Sequence, residues 1–332
     1  MKTLSIKDLS ISPRLISETA VKMGFTVNII DSQTAQLLFG DSSWYVCGSR
    51  TSLQSSVGYT MALRKHQAKL ILKKNLLPTA NYVVINNEND LGELKKLSLP
   101  IVIKPSEGSQ SRSIFADVKT IPEAEAIVLD LIPGLGLEEW VLCEEHLEGN
   151  EYRIVCIDNN FVGAFYRKAA HVIGNGKNTI KELVEEKNSH PWRGSSAQGS
   201  HSSPLSTIKI DKHSHELLDS MGYSINDVPP KGIEVPLKQI ASLSIGGEAE
   251  NISDQVCKEN IEIFEKVSKV LDLNIAGIDV MCHDLSSPIS DQKSAGIIEV
   301  NGSPGIRMCH YPLVGEPINI AKMIVEQLLA SI

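Results

Sequence analysis

The sequence lacks the cysteine spacing that a structural zinc site or a disulfide framework requires. Its six cysteines are scattered, none forms a C-x-x-C pair, and Cys143 ends the apolar run that begins at Trp140. Isolated cysteines in apolar runs are typical of buried, reduced thiols in a reducing compartment. We therefore expect neither a zinc site nor a disulfide.

Long apolar runs are missing as well. The first 25 residues alternate polar and apolar types and never form the apolar core of about 7–15 residues that a signal peptide contains. No window approaches the ~20 consecutive apolar residues of a membrane-spanning helix. We expect a cytoplasmic protein that does not bind a membrane.

Positive charge is scarce and dispersed. The formal net charge is −8, and no run of Lys or Arg is longer than pairs such as Lys73-Lys74 and Lys95-Lys96. A protein that neutralises many phosphates needs clustered cations, so nucleic acid is not an expected partner. The 332 residues, 42% of them hydrophobic, are enough for two or three domains with real cores.

Three consecutive domains are predicted from the order of elements. In residues 1–62, helical spacing of apolar residues over Ser12–Met23 ends at Gly24, and Phe25–Ile30 has the pattern of a strand. These features predict a small α/β domain. In residues 63–148 the order is strand, polar loop, strand, helix and strand, which favours an antiparallel α+β subdomain.

Residues 149–332 form the predicted large C-terminal subdomain. Two strands joined at residues 158–160 indicate a hairpin, and Val256–Leu271 has the periodicity of an amphipathic helix. Residues 190–205 include PWRGSSAQGSHSSP, which is too rich in Ser and Gly to bury much surface. We expect a mobile loop there that acts as a lid.

Two apolar strands near the C-terminus carry polar residues where a buried strand is normally apolar. Asp279 interrupts GIDVM, and Glu299 and Asn301 interrupt GIIEVN. A buried carboxylate needs a partner or a bound cation, and residues two apart project from the same face of a strand. Three oxygen donors on one face suit Mg²⁺ shared with substrate phosphates. The alternative is a pair of strand acids that lysines neutralise or that face solvent.

Lys104 ends the apolar strand LPIVIKP and is followed by the loop SEGSQSRS. Loops of small residues present backbone N–H groups to phosphate, so we expect the ammonium of Lys104 beside a bound phosphate. The alternative is a surface lysine that happens to follow a strand. Lys65, at a predicted helix start, carries no signal by itself.

The order of these motifs resembles that of the ATP-grasp superfamily. The resemblance is carried by SSVGYTMALRKHQAK, IVIKPSEGS, EGNEYRIVCI, AAHVIGNGKNTIKELVEEKNSHPWRG, LSIGGEAENISDQV, AGIDV and IIEVNGSPGIRMCHYP, in unbroken order over residues 55–320. Within the superfamily these segments are most similar to the ATP-grasp domain of cyanophycin synthetase. They are next most similar to the glutathione-synthetase half of bifunctional glutathione synthetase.

The resemblance implies an ATP-grasp fold of the α/β and α+β classes. A small N-terminal α/β (pre-ATP-grasp) domain would precede two antiparallel α+β subdomains that enclose ATP. The resemblance implies that Lys65 and Lys104 contact the phosphates of ATP, together with Gly108, Ser109 and Ser111 of the small-residue loop. It also implies that Glu144, Glu145, His146 and Leu147 form the adenine hinge. Glu151 would hold the ribose, and Lys168, at the end of a strand, would be a further contact. The resemblance further implies that Asp279, Glu299 and Asn301 hold two Mg²⁺ ions, which Mn²⁺ can replace.

The same resemblance implies which cations serve catalysis. Arg307 matches an arginine of the family pattern, and a guanidinium there can grip a carboxylate or an acyl phosphate through two hydrogen bonds. Arg167 and Lys168 lie at the end of a strand that faces the cleft in the family, although a solvated strand end is the alternative. Lys238 stands near the acceptor carboxylate, where relatives have arginine.

Two departures from the family pattern concern ligand contacts. The phosphate loop has Ser111 and Ser113 where relatives have glycine, but serine still offers its backbone N–H, so we expect ATP binding to persist. Relatives also have asparagines at Ile240 and Ser242, near the acceptor carboxylate and the acyl phosphate. We therefore expect a different substrate, and neither cyanophycin nor glutathione is assumed to be the product.

The resulting hypothesis is an ATP-dependent ligase that joins a carboxylate to an amine through an acyl phosphate, releasing ADP and phosphate. The expected substrates are amino acids, small peptides or a peptide C-terminus. We expect a stand-alone ligase, because the second modules of both relatives do not fit in 332 residues, and by analogy a homodimer or homotetramer. Two alternatives stay open: a regulatory protein that binds nucleotide without ligating, and a kinase.

Overall fold

The computed structural model describes residues 4–107, 114–136, 139–194 and 203–332. In these ranges the α-helices are α1 (Ile11–Lys22), α2 (Ser56–Leu63), α3 (Lys65–Lys74), α4 (Ile121–Leu131), α5 (Ile180–Asn188), α6 (Lys212–Ser220), α7 (Lys258–Val270), α8 (Arg307–His310) and α9 (Ile320–Ala330).

The β-strands are β1 (Thr26–Ile29), β2 (Thr34–Phe39), β3 (Ser42–Cys47), β4 (Arg50–Thr51), β5 (Tyr82–Ile85), β6 (Ile101–Pro105), β7 (Phe115–Val118), β8 (Val141–Glu145), β9 (Asn150–Ile157), β10 (Asn160–Lys168), β11 (His171–Ile173), β12 (Arg193–Gly194), β13 (Leu205–Ser206), β14 (Glu234–Pro236), β15 (Glu248–Asn251), β16 (Ile275–Cys282) and β17 (Gly296–Asn301). The mixture of helices with mainly antiparallel strands confirms the predicted fold class.

The chain divides into two compact units, each built from separate stretches of sequence. Unit 1 comprises Met1–Ser52, Gly163–Ser253 and Gly305–Ile332, and unit 2 comprises Leu53–Val162 and Asp254–Pro304. The three consecutive domains expected from the sequence, 1–62, 63–148 and 149–332, stay a prediction.

Unit 1 begins with an antiparallel sheet of the order β1-β2-β3-β4. The helix α1 ends before Gly24, as predicted, because Gly24 has a φ of 90° that other residues rarely adopt. The N–H of Phe25 then donates to the carbonyl of Ala20 at 3.0 Å, and β1 begins at the next residue. The sequence prediction missed β2, where the adjacent Leu37 and Leu38 obscure the alternation of a strand.

Unit 1 also contains the antiparallel pairs β10–β15 and β11–β14 and the parallel pair β12–β13. A buried apolar cluster joins Leu183 of α5 and Leu218 of α6 to Val172 of β11 and Val235 of β14. Burial of such side chains stabilises this part of unit 1 by removing apolar surface from water.

Unit 2 contains an antiparallel sheet of the order β5-β8-β6-β7. One face of this sheet packs a core that includes Ile101 and Ile103 of β6 and Val128 of α4. Side chains alternate between the two faces of a strand. Lys104 of β6 and Glu144 of β8 therefore lie on the face opposite this core.

The strands that carry the predicted metal ligands also belong to unit 2. The strand β16 pairs antiparallel with β9 on one side and with β17 on the other. The helix α7 packs against β9 and β16, with Phe264 fully buried. After β9, Asp158 and Asn159 have φ values of 51° and 59°, a left-handed backbone that suits the tight turn expected there.

No helix in the described part of the chain is long and apolar enough to cross a membrane. All six cysteines are free thiols, and Cys143, Cys156, Cys282 and Cys309 are buried. The expectation of buried thiols is therefore confirmed for these four cysteines, whereas Cys47 and Cys257 are only partly buried.

Gly58 of α2 packs directly against the turn that follows α7, and we predict that this contact tolerates no side chain. A Cβ at residue 58 would lie 2.3 Å from the carbonyl oxygen of Asp272 and 2.5 Å from that of Leu271. Gly58→Ala should therefore lower the free energy of unfolding by about 1–3 kcal/mol, measured by urea titration. The matched control is Gly92→Ala, where nothing lies within 4 Å of the added Cβ. Equal effects of the two substitutions would contradict this packing.

Candidate active site

A row of charged side chains crosses β9, β16 and β17 in unit 2. Arg153, Asp279 and Glu299 are direct cross-strand neighbours in the two antiparallel pairings. Nε and Nη2 of Arg153 donate to Oδ1 and Oδ2 of Asp279 at 2.5 and 2.9 Å. Asp279 is only 4% exposed, so its carboxylate requires such a partner. Sequence reasoning missed Arg153, although an arginine within the apolar run of β9 was the available signal.

Asn301 joins the two acids of this row. Its Nδ2 lies 3.2 Å from Oδ2 of Asp279 and 3.2 Å from Oε1 of Glu299. The structure therefore brings together the three residues that were predicted to share one face. Turning the amide by 180° directs Oδ1 instead of Nδ2 towards the same point, and the hydrogen-bond partners decide which atom points there.

The donor chemistry of this cluster fits a hard cation. Two carboxylates and one amide oxygen are ligands that Mg²⁺ accepts in sites that it shares with substrate phosphates. No group of three or more His, Cys, Asp or Glu side chains suited to a metal occurs among the described residues. Asp279 and Glu299 contribute two such side chains, and the third oxygen donor, Asn301, is an amide. Such a cluster fits an open site that phosphate oxygens complete rather than a closed structural one.

A second charged cluster in unit 2 is centred on Glu144, which is 4% exposed. Its carboxylate pairs with the ammonium of Lys104 and lies 2.6 Å from Nζ of Lys69. Burial by itself raises the pKa of Glu144, but Lys69 and Lys104 outweigh burial and lower it to about 2. The predicted phosphate lysine is thus held by the residue that was predicted to contact adenine.

Lys69 is a second residue that sequence reasoning missed. It is 2% exposed, and its Nζ donates to Oγ1 of Thr79 at 2.9 Å. Thr79 in turn donates to the carbonyl oxygen of Ile297 at 2.9 Å. This chain of contacts connects Glu144 to β17, the strand of Glu299 and Asn301. The available signal was a lysine on the apolar side of an amphipathic helix, four residues after Lys65.

Lys65 begins α3, and its backbone N–H donates to the carbonyl of Ser106 at 3.0 Å. Burial lowers the pKa of its ammonium, while the negative charges of Glu299 and Glu144 act in the opposite direction. Lys65 therefore lies within the electrostatic field of both clusters.

The predicted adenine hinge has a carboxylate that the fold already uses. Glu145 accepts hydrogen bonds from the N–H of Ser98 at 3.0 Å and from Nδ2 of Asn81 at 2.9 Å. Burial raises the pKa of Glu145, but these hydrogen bonds leave it below its ordinary value. The contacts of Glu145, His146 and Leu147 with adenine stay a prediction, as does the contact of Glu151, at the start of β9, with ribose.

The predicted phosphate-loop residues Gly108, Ser109 and Ser111 lie outside the described residues, as do 195–202 of the expected lid. Arg193, at the start of that segment, is buried. Its guanidinium donates to the carbonyls of Ser206 at 2.6 Å and Gly246 at 3.2 Å and pairs with Glu248. The expectation that 190–205 buries little surface is therefore wrong at Arg193, because a guanidinium can pair there with a carboxylate and with backbone oxygens.

The predicted catalytic cations lie in unit 1. Arg307 opens α8, is 8% exposed, and has its pKa lowered by burial to about 10. Nε of Arg167 donates to the carbonyl of Ala241 at 2.9 Å, and Nζ of Lys168 lies 5.3 Å from the centre of the Tyr166 ring. Arg167 and Lys168 thus each have a local contact, and Arg307 is buried.

Lys238, the fourth predicted cation, has a carboxylate partner. Its Nζ lies 2.5 Å from Oδ2 of Asp211, and the hydrogen bond from Lys238 is the main cause that lowers the pKa of Asp211 to about 2. Sequence reasoning did not foresee this pair, because Asp211 lies 27 residues earlier in the chain. The roles assigned to the four cations stay predictions.

The chain is similar to known proteins in sequence and in fold. No family model matches the chain. It is 35% identical over 298 residues to cyanophycin synthetase of Trichormus variabilis, a match that covers 89% of this chain and 32% of that protein. It is 28% identical over 330 residues to the glutathione biosynthesis bifunctional protein of Clostridium perfringens, covering 97% and 41% respectively. The chain thus spans well under half the length of either relative.

The bifunctional glutathione synthetase from Pasteurella multocida has a similar fold. The match has a TM-score of 0.77 at 23% identity and covers 98% of this chain and 44% of that one. Sequence similarity over nearly the whole chain and this common fold confirm the recognition made from the motifs. The chain is an ATP-grasp protein related to cyanophycin synthetase and to bifunctional glutathione synthetase.

Proposed function

We propose that the chain is an ATP-dependent carboxylate–amine ligase that forms an amide through an acyl phosphate. The observation that carries the proposal is the cluster of Asp279, Glu299 and Asn301 at 3.2 Å contacts in unit 2. Lys65 acts on this cluster electrostatically. Oxygen donors for a dication beside a lysine suit the triphosphate of ATP. The relatives are named as synthesising cyanophycin and glutathione, which supports a bond-forming reaction.

In this proposal, Asp279, Glu299 and Asn301 hold two Mg²⁺ ions, for which Mn²⁺ can substitute. Bound Mg²⁺ neutralises charge on the phosphates while the γ-phosphoryl group moves to the substrate carboxylate. Lys65 and Lys104 align the phosphates, and the amine of the second substrate then displaces phosphate from the acyl carbon. The protein contributes position and charge, so no nucleophilic side chain is required.

Lys69 supports this role of Lys104. Glu144 has two ammonium partners, Lys104 and Lys69. When Lys104 turns towards a phosphate, Lys69 still neutralises the buried carboxylate. The cost of leaving a buried charge unpaired, which is commonly about 3–5 kcal/mol, is thereby avoided.

The substrate carboxylate is proposed to belong to an acidic amino acid, a dipeptide or a peptide C-terminus. Arg307, Arg167 and Lys168 are the cations of unit 1 that favour an anionic donor, and Lys238 contributes less because Asp211 neutralises it. We also propose a cytoplasmic location and a homodimer or homotetramer, in keeping with the expectations from the sequence.

The ligase proposal predicts that ADP release depends on both substrates. Purified protein with ATP and Mg²⁺ should release ADP only when a carboxylate and an amine are both present, and mass spectrometry should detect an amide. A matrix of amino acids and dipeptides identifies the pair. Asn301→Ala and Glu299→Gln should each lower the rate by at least about 100-fold, because both remove a ligand for charge that develops in phosphoryl transfer.

The matched control for these variants is Glu326→Gln. Glu326 forms an exposed pair with Lys322 on α9, so the rate should stay at that of the unaltered protein. ATP turnover that is indifferent to every carboxylate and amine, or a phosphorylated product without an amide, would reject the ligase in favour of a hydrolytic or kinase activity.

Glu144 should give the stability of the fold a measurable pH dependence. Its pKa is about 2 in the folded chain, below the ordinary 4.5. Its pairing therefore stabilises the fold fully above about pH 4.5, and this contribution is lost as the pH falls towards 2. Between about pH 5 and pH 3, Glu144→Gln should lose less unfolding free energy than the unaltered protein does, by on the order of 1–2 kcal/mol.

Urea unfolding at the two pH values measures this difference. Glu216→Gln, at an exposed position of α6, serves as the control and should keep the original pH dependence. If Glu144→Gln declines as steeply as the unaltered protein, the buried cluster of Glu144 and its lysines is not the source of the acid sensitivity.

A further inference from the structure

We propose that Arg153 prevents the metal ligands from holding a divalent cation until nucleotide phosphates are present, so that metal and ATP bind together. The inference rests on the proposed function, since it takes Asp279, Glu299 and Asn301 as the metal ligands. Arg153 acts through Asp279 and is therefore a positioning residue.

The charges around Asp279 nearly cancel. Asp279 and Glu299 contribute two negative charges, and Arg153 contributes one positive charge in a pair with two hydrogen bonds. Lys65 adds a second positive charge that acts on Glu299. The carboxylate of Glu151 also acts on Arg153, more weakly than those of Asp279 and Glu299. The three carboxylates and two cations have a net charge of −1, so the cluster attracts a dication weakly, whereas phosphate oxygens add further negative charge.

The carboxylate oxygens of Asp279 already accept hydrogen bonds. Oδ1 of Asp279 accepts from Nε of Arg153, and Oδ2 accepts both from Nη2 of Arg153 and from Nδ2 of Asn301. Both oxygens of this carboxylate therefore have donors from the protein. A cation that binds Asp279 must therefore approach a guanidinium that is itself 8% exposed and keeps its positive charge at ordinary pH, so the two charges repel each other.

Removal of the Arg153 guanidinium changes the charge of the cluster. Without Arg153 the cluster has a surplus of negative charge, and Asp279 is left as a buried carboxylate without its main partner. A divalent cation then stabilises the cluster directly, with no need for phosphate. Changes of groups next to metal ligands commonly alter metal affinity by about 10–100-fold.

The test measures Mn²⁺ binding by electron paramagnetic resonance, with the metal alone and with a non-hydrolysable ATP analogue. The unaltered chain should bind Mn²⁺ at least about tenfold more weakly without the analogue than with it. Arg153→Gln should bind Mn²⁺ alone about tenfold more tightly than the unaltered chain. Arg153→Lys retains the charge and should behave like the unaltered chain. The control is Arg193→Gln, which also removes a buried arginine–carboxylate pair but lies in unit 1 and should leave Mn²⁺ affinity unchanged.

The outcomes separate this inference from the proposed function. If Mn²⁺ fails to bind even with the analogue, the metal ligands of the proposed function are wrong. If the analogue enables binding but Arg153→Gln binds Mn²⁺ alone no better than the unaltered chain, only the inference fails. Should Arg153→Gln not fold, the unaltered chain decides: equal Mn²⁺ affinity with and without the analogue overturns the inference, and a tenfold or larger difference together with an unchanged Arg153→Lys upholds it.

Discussion

The pairing of buried charges is the constraint on which the site of unit 2 depends. Asp279 and Glu144 each lie on a mostly buried strand, at 4% exposure. Removal of an isolated carboxylate from water costs several kcal/mol, so both positions are stable only with a cation beside them. Arg153 supplies it for Asp279, and Lys69 with Lys104 supplies it for Glu144.

These two pairings differ in how they can respond to a ligand. Glu144 has two partners, so one of them can leave without exposing an unpaired charge. Asp279 has one guanidinium that donates to both of its oxygens, so a cation that reaches Asp279 is repelled by the charge of that group. The hydrogen bonds from Lys69 to Thr79 and from Thr79 to Ile297 connect the two clusters. Lys104 and the strand β17 are therefore connected by one network of contacts.

Much of unit 2 could be predicted because local patterns and spatial pairing agree there. Apolar runs identified β6, β8, β16 and β17, and the two-residue period of a strand placed Glu299 and Asn301 on one face before any partner strand was known. Arg153 and Lys69 were not predicted, because the need for a cation is visible at the carboxylate whereas its source lies on another element. Arg153 and Asp279 are 126 positions apart in the sequence, and the stretch between them carries no local signal of their pairing. Strand register, which only tertiary packing fixes, brings them together.

Unit 1 shows the same limit for the substrate. The segment of Lys238 could be recognised as altered, but the sequence did not indicate that its ammonium is paired with Asp211 at 2.5 Å. A lysine that is already neutralised attracts an anionic substrate less than an arginine with additional donors does. In the proposed function, other cations of unit 1 therefore attract the donor carboxylate. Among them the guanidinium of Arg307, at 8% exposure, is the one whose attraction is least weakened by water. In that proposal, recognition of the substrate depends less on the number of cations than on whether a carboxylate of the protein already neutralises them, as Asp211 does Lys238.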